Sequence, residues 1–311
     1  MLAWIYLQYG DYKETAKYSI RALAICRKRL EKTEFYYFSQ GRLFNIHARI
    51  YLHTGDYKKA LYWLNKELRI YENFSNNDID GGVKNKISQT YNWMGRAYLR
   101  LGDYSKAIDC YQAVLDFQSE LHSVDSPESA LVKNNLGFTY GEMQKWKKAF
   151  EYYDAALEIM LKYFGEFHSD VMLVYYNMAY DYCTMKEYKK SLALIEKVIR
   201  HYSGGSGGRT VNLAEAYLNK ARTHYHKRDF YEALDYYNKA LDIQKCILFE
   251  YHPDIGETYK NIADVLCNMK NNADEALDNY EAAKAIFKKS LCLGNSRLTY
   301  VCERIRALKE S

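Results

Sequence analysis

The sequence predicts an all-helical solenoid of about seven stacked helix–turn–helix units, closed by a C-terminal helix. Three observations carry that prediction. A small side chain recurs at Thr15, Ala60, Ala107, Ala149, Ser191, Ala233 and Ala276, in steps of 45, 47, 42, 42, 42 and 43 residues, and the first six each follow an aromatic by three. Self-similarity at such a fixed step is the mark of a repeat architecture, which grows in one dimension. The 311 residues contain only two prolines, Pro127 and Pro253, so little interrupts a helix. Bulky apolar residues fall three and four apart, which places them on one helical face.

Taken in order, the units span approximately 1–30, 36–72, 84–120, 127–163, 169–202, 210–247 and 253–289 of a single array over 1–311. Gly10-Asp11-Tyr12, Gly55-Asp56-Tyr57 and Gly102-Asp103-Tyr104 mark the turn inside the first three. Gln144-Lys145-Trp146, Lys186-Glu187-Tyr188 and Arg228-Asp229-Phe230 take that place in the next three, and Lys270–Asp274 is one residue longer. First helices carry a small residue with an aromatic three later, as in Ala48/Tyr51, Gly95/Tyr98, Gly137/Tyr140 and Ala179/Tyr182. Second helices place Leu64, Tyr111, Tyr153, Ile195, Tyr237 and Tyr280 four residues after their small residue. Small residues let two helices approach and bulky ones fill the space beside them.

Met1 falls about midway through a first helix, so the chain reads as a piece of a longer protein or as one with an added start methionine. The polar stretch Asn73–Gly82 predicts a longer loop. Ser203-Gly204-Gly205-Ser206-Gly207-Gly208 lies between units and reads either as a native loop or as an engineered linker. Leu298, Cys302, Ile305 and Leu308 fall at helical spacing and predict a final helix within 290–311 that caps the last unit's open face.

The recurrence of small-x-x-aromatic, Gly-Asp-Tyr and the later Ala, in order along nearly the whole chain, resembles the tetratricopeptide repeat family. The step near 42 exceeds that family's usual ~34 residues. With connections such as Gly165–Val171 and Tyr251–Ile255, it resembles the long-repeat branch of kinesin light chains and bacterial peptide-pheromone receptors. The resemblance implies a right-handed superhelix whose first helices line the inner side of the curve. It also implies non-catalytic binding of an extended peptide or partner segment there.

On that inner face, counting back two from the small residue gives Asn135, Asn177, Asn219 and Asn261, spaced by 42 residues. Counting back three gives Asn45, Asn92 and Asn134. Asparagine is a poor helix former, but its amide both donates and accepts, which suits the backbone of an extended peptide. In the families named above, asparagines on this face hold the ligand backbone. The alternative is that the amides bond within the array itself. One turn further lie Arg49, Arg96 and Arg222, suited to an acidic peptide or a free C-terminal carboxylate. Glu142, Glu215, Glu257 and Asp264 share the side in later repeats, so the groove reads as basic early and acidic late. Phe138 and Tyr180 are candidate apolar anchors, and Trp93 reads as core.

Composition narrows the function classes. Net charge is +5 with both signs mixed, without the basic stripe that nucleic-acid binding requires. No stretch reaches ~18 apolar residues, so no membrane span is expected. Seven scattered cysteines without a Cys-x-x-Cys pair suit a reducing compartment, and the cytoplasm is the expected location. His224 and His226 point to different helical faces and make a poor metal pair, and no phosphate loop or nucleophile context is present. No cofactor and no catalysis are expected. Three readings stay open: a peptide- or partner-binding adaptor, a ligand-sensing regulator of an effector outside this chain, and a structural or oligomerising scaffold.

Overall fold

The computed structural model describes residues 6–7, 11–29, 33–75, 82–121, 125–204, 209–269, 272–291 and 295–310. The expectations for Met1, for most of the 73–82 loop and for residues 205–208 lie outside the described residues. Among the described residues there are fourteen long helices and no strand. They are α1 (Tyr12–Arg29), α2 (Glu34–Thr54), α3 (Tyr57–Glu72), α4 (Gly82–Leu101), α5 (Tyr104–Leu121), α6 (Pro127–Glu142) and α7 (Trp146–Phe164). There follow α8 (Ser169–Thr184), α9 (Tyr188–Gly204), α10 (Val211–Lys227), α11 (Phe230–Ile247), α12 (Pro253–Leu266), α13 (Ala273–Ser290) and α14 (Ser296–Glu310).

The chain divides into two compact units, Met1–Tyr163 and Phe164–Ser311. In the first, α2 packs on α3 and α4 on α5, while α3–α4 and α5–α6 contacts join successive pairs and α1 lies on α2. In the second, α8 packs on α9, α10 on α11 and α12 on α13. Contacts of α9 with α10, α11 with α12 and α13 with α14 link them, and the first helices α8 and α10 touch directly.

Local chemistry starts these helices where the repeat predicts. Asp56 accepts the Lys59 amide at 3.1 Å, and Ser126 accepts that of Ser129 at 3.2 Å with Pro127 at the first helical position. His168 and His252 each accept an amide two residues on through Nδ1, both at 3.2 Å. In the α4–α5 and α6–α7 pairs, an aromatic from the second helix lies against the first helix's small residue. A Cβ on Gly137 would sit 2.6 Å from the Tyr153 ring, and one on Gly95 would sit 2.7 Å from the Tyr111 ring. Ala48, Ala179, Ala221 and Ala263 occupy the equivalent places and are fully buried. Where Ser191 replaces alanine at the second helix's small position, its hydroxyl donates to the Ala179 carbonyl at 2.7 Å. That bond satisfies an otherwise buried polar group.

The turn between paired helices is left-handed in five consecutive repeats. Gly55 (φ 83°) and Gly102 (φ 76°) adopt it without steric cost, whereas Gln144 (φ 57°), Lys186 (φ 63°) and Arg228 (φ 70°) carry a Cβ there. Replacing all three by glycine is expected to stabilise the chain by about 0.5–1 kcal/mol per site, the left-handed penalty less glycine's extra entropy. The check is a higher urea midpoint, and an unchanged or lower midpoint would refute it.

Candidate functional site

In the first unit the predicted amides lie close to the chain's own polar groups. Asn45 of α2 donates to Glu67 Oε2 of α3 at 3.0 Å. Glu67 is buried, and burial pushes its carboxyl up to about 7 even though Asn45, Lys86 and Thr90 favour the charged form. Asn135 of α6 donates to Asn92 Oδ1 of α4 at 3.1 Å, tying first helices 43 residues apart. Asn134 is buried, and Phe138 is half-buried. Arg49 and Arg96 both lay their guanidinium groups on Trp93, 5.0 and 4.6 Å from its ring centroid. Burial first, and then the charge of Arg96, lower the Arg49 pKa.

The second unit contains a cleft of about 370 Å³ between α8, α10, α11 and α12. Three of the predicted residues line it: Asn219 and Arg222 from α10 and Asn261 from α12. Asn177 and Tyr180 of α8 do not line it, but the Tyr180 ring carries the Arg222 guanidinium at 3.8 Å. Asn219 is only 1% exposed. Its Nδ2 donates to the Tyr176 carbonyl at 3.1 Å, and its Oδ1 accepts from Arg222 Nη2 at 3.0 Å. Both ends of this amide are thus used by the chain, and it holds Arg222 over the Tyr180 ring. Asn261 is half-buried and makes no side-chain hydrogen bond among the described residues. It is the amide best placed to meet a ligand.

Glu257 and Asp264, placed on this side by the sequence, also line the cleft. Lys260 between them, with Tyr176 and Tyr225, has no place in the sequence reading, while Tyr237, read there as a second-helix packing residue, also lines the cleft. A signal for Lys260 was available, because Glu257, Lys260 and Asp264 follow the three–four spacing of one helical face. Desolvation, and then the charge of Arg222, lower the His226 pKa. The cleft can therefore supply one uncommitted amide, a stacked guanidinium and aromatic walls to a bound chain. Among the described residues no three metal-ligating side chains cluster, and no helix is long and apolar enough to cross a membrane.

Stacked helix pairs, a small-residue seam and first helices tied across one repeat step define a helical repeat protein. The tetratricopeptide repeat profile matches residues 86–143, 128–204 and 212–289, and a second tetratricopeptide profile matches 176–245, so the chain belongs to the tetratricopeptide repeat family. No curated protein sequence matches the chain. Among solved structures, a Rap protein complexed with Competence and Sporulation Factor is similar, with a TM-score of 0.62 and 14% identity over 99% of this chain and 85% of that one. NprR in complex with its cognate peptide NprX gives a TM-score of 0.58 and 15% identity over 99% of this chain and 86% of that one. BtubC (BKLC) from P. vanneervenii gives 0.56 and 19% identity over 76% of this chain and 91% of that one. At these identities the likeness shows the fold alone.

Proposed function

We propose that this protein is a non-catalytic scaffold, a single tetratricopeptide array capped by residues 290–311, that holds an extended peptide or partner segment along its first-helix face. The observation that carries the reading is the cleft in which successive first helices present a clamped Arg222 beside the uncommitted amide of Asn261. An amide can meet both groups of a peptide unit, and a stacked guanidinium suits a carboxylate, from an acidic side chain or a free C-terminus. In the first unit, this reading assigns the same peptide-holding role to the predicted row Asn45, Arg49, Asn92, Arg96, Asn134, Asn135 and Phe138. A cytoplasmic setting fits it. Family membership supports a binding role, as do the complexes of a Rap protein with Competence and Sporulation Factor and of NprR with NprX.

The test is capture from an acetylated random peptide pool, comparing wild type with the Arg222→Gln, Asn261→Ala double variant. Both positions are half-buried, so the variant should melt close to wild type. Capture should fall by about thirtyfold or more, the scale of one charge-assisted hydrogen bond plus one neutral bond. Equal capture by a folded variant would place binding elsewhere. Asn219 is unsuited to this comparison, because removing it would also break the tie to Tyr176.

A further inference from the structure

On its lining residues alone the cleft is electrically balanced: Arg222 and Lys260 face Glu257 and Asp264. The balance is not evenly distributed. Lys260 Nζ sits 2.6 Å from Glu257 Oε1 and 3.9 Å from Asp264 Oδ2, so it is committed to the acids of its own helix. Arg222 has only the neutral Asn219 oxygen as a hydrogen-bond partner, and among the described residues it meets no carboxylate.

The acids receive further partners from α14, which does not line the cleft. Arg297 Nε lies 3.6 Å from Glu257 Oε2. The Tyr300 hydroxyl donates to Asp264 Oδ1 at 2.8 Å, beside the Tyr280 hydroxyl from α13 at 2.5 Å. Arg304 Nε in turn donates to the Tyr280 oxygen at 3.2 Å, so one helix engages the acid system at three places. Burial, and then the bond to Asp264, push the Tyr300 hydroxyl up to about 12, which keeps its proton available for donation. On its apolar side α14 buries Val301 and Ile305 and packs Leu298 and Leu308 beside them.

We propose that α14 sets the charge selectivity of the cleft: Arg297 offsets the charge of Glu257 from behind, Tyr300 occupies Asp264 with a hydrogen bond, and Arg222 is left as the uncompensated charge that directs the site to a peptide bearing a carboxylate. Arg297 and Tyr300 are specificity-determining positions that never touch the ligand. This inference rests on the peptide-binding reading above and replaces the acidic late groove expected from Glu257 and Asp264 in the sequence.

The experiment uses the full chain and acetylated, amidated peptide pools enriched either in Asp and Glu or in Lys and Arg. A neutral pool with a free C-terminus separates a terminal carboxylate from a side-chain one. Wild type should retain one of the carboxylate-bearing pools over the basic pool. Arg297→Gln with Tyr300→Phe should lower that ratio about fivefold, the scale of one partly exposed charge interaction. Circular dichroism checks that α14 stays folded. Tyr300→Phe alone removes a single oxygen and, if the double variant loosens the helix, carries the test by a smaller drop. An unchanged ratio in folded variants, or a wild-type preference for the basic pool, overturns the inference and leaves peptide binding intact. Retention of none of the pools overturns the binding reading, and this inference with it.

Discussion

Glu67→Gln should make the first unit more stable at pH 8, by about 3 kcal/mol, and leave it nearly unchanged at pH 4. The Glu67 carboxyl is 4% exposed and its pKa stands at about 7 against an ordinary 4.5, with desolvation as the main cause. A folded pKa above the unfolded one means that the native state holds more protons between those values. Stability from this group is therefore complete below about pH 4.5 and is lost as pH rises toward 7. Glutamine keeps the size and an acceptor for the Asn45 amide but carries no charge to desolvate. Burial moves His47 the opposite way, so stability from that group rises with pH and partly masks the effect in wild type. The difference between wild type and variant, from urea unfolding across pH 4–8, isolates Glu67. A difference flat in pH would show that the carboxyl titrates normally.

Tyr153→Ala should destabilise its helix pair by about 3–5 kcal/mol, the largest single effect expected from an uncharged side chain here. Tyr153 is fully buried, and its ring rests against Gly137 so closely that the glycine has no room for a methyl group. Truncation leaves a cavity flanked by two helix backbones, which cannot collapse without shifting the pair. Stability in a repeat array is local plus nearest-neighbour, so the loss should concentrate in α6 and α7. Hydrogen exchange read along the chain would show it. Protection lost evenly over the whole chain, or kept in α6 and α7, would contradict a pairwise seam.

The seam was legible in the sequence because its demand is steric and repeats. Gly95 with Tyr111 and Gly137 with Tyr153 recur at the predicted spacing, and the structure brings each pair together. The left-handed turn was legible only through Gly55 and Gly102. Gln144, Lys186 and Arg228 adopt the same φ because the flanking helices impose it, and no local propensity announces that. Of the candidate site, spacing placed Asn219, Arg222 and Asn261 on one face, and all three line the cleft. Spacing is silent on depth. It could not show that Asn219 is buried and spent on Tyr176 and Arg222 while Asn261, one repeat on, stays uncommitted.

What the sequence determined by itself is the architecture: all-helical units, their approximate step and the faces on which they meet. Those follow from periodicity, which is local and repeated many times, so chance errors at one unit do not spoil it. What only the tertiary structure decided is which polar groups find partners. Asp264 meets the Tyr300 hydroxyl 36 residues away, and Glu257 faces Arg297 across two helices, while Arg222 meets no acid among the described residues. Charge compensation depends on distances of a few ångströms between segments far apart in the chain, and the one-dimensional order of residues carries no record of them.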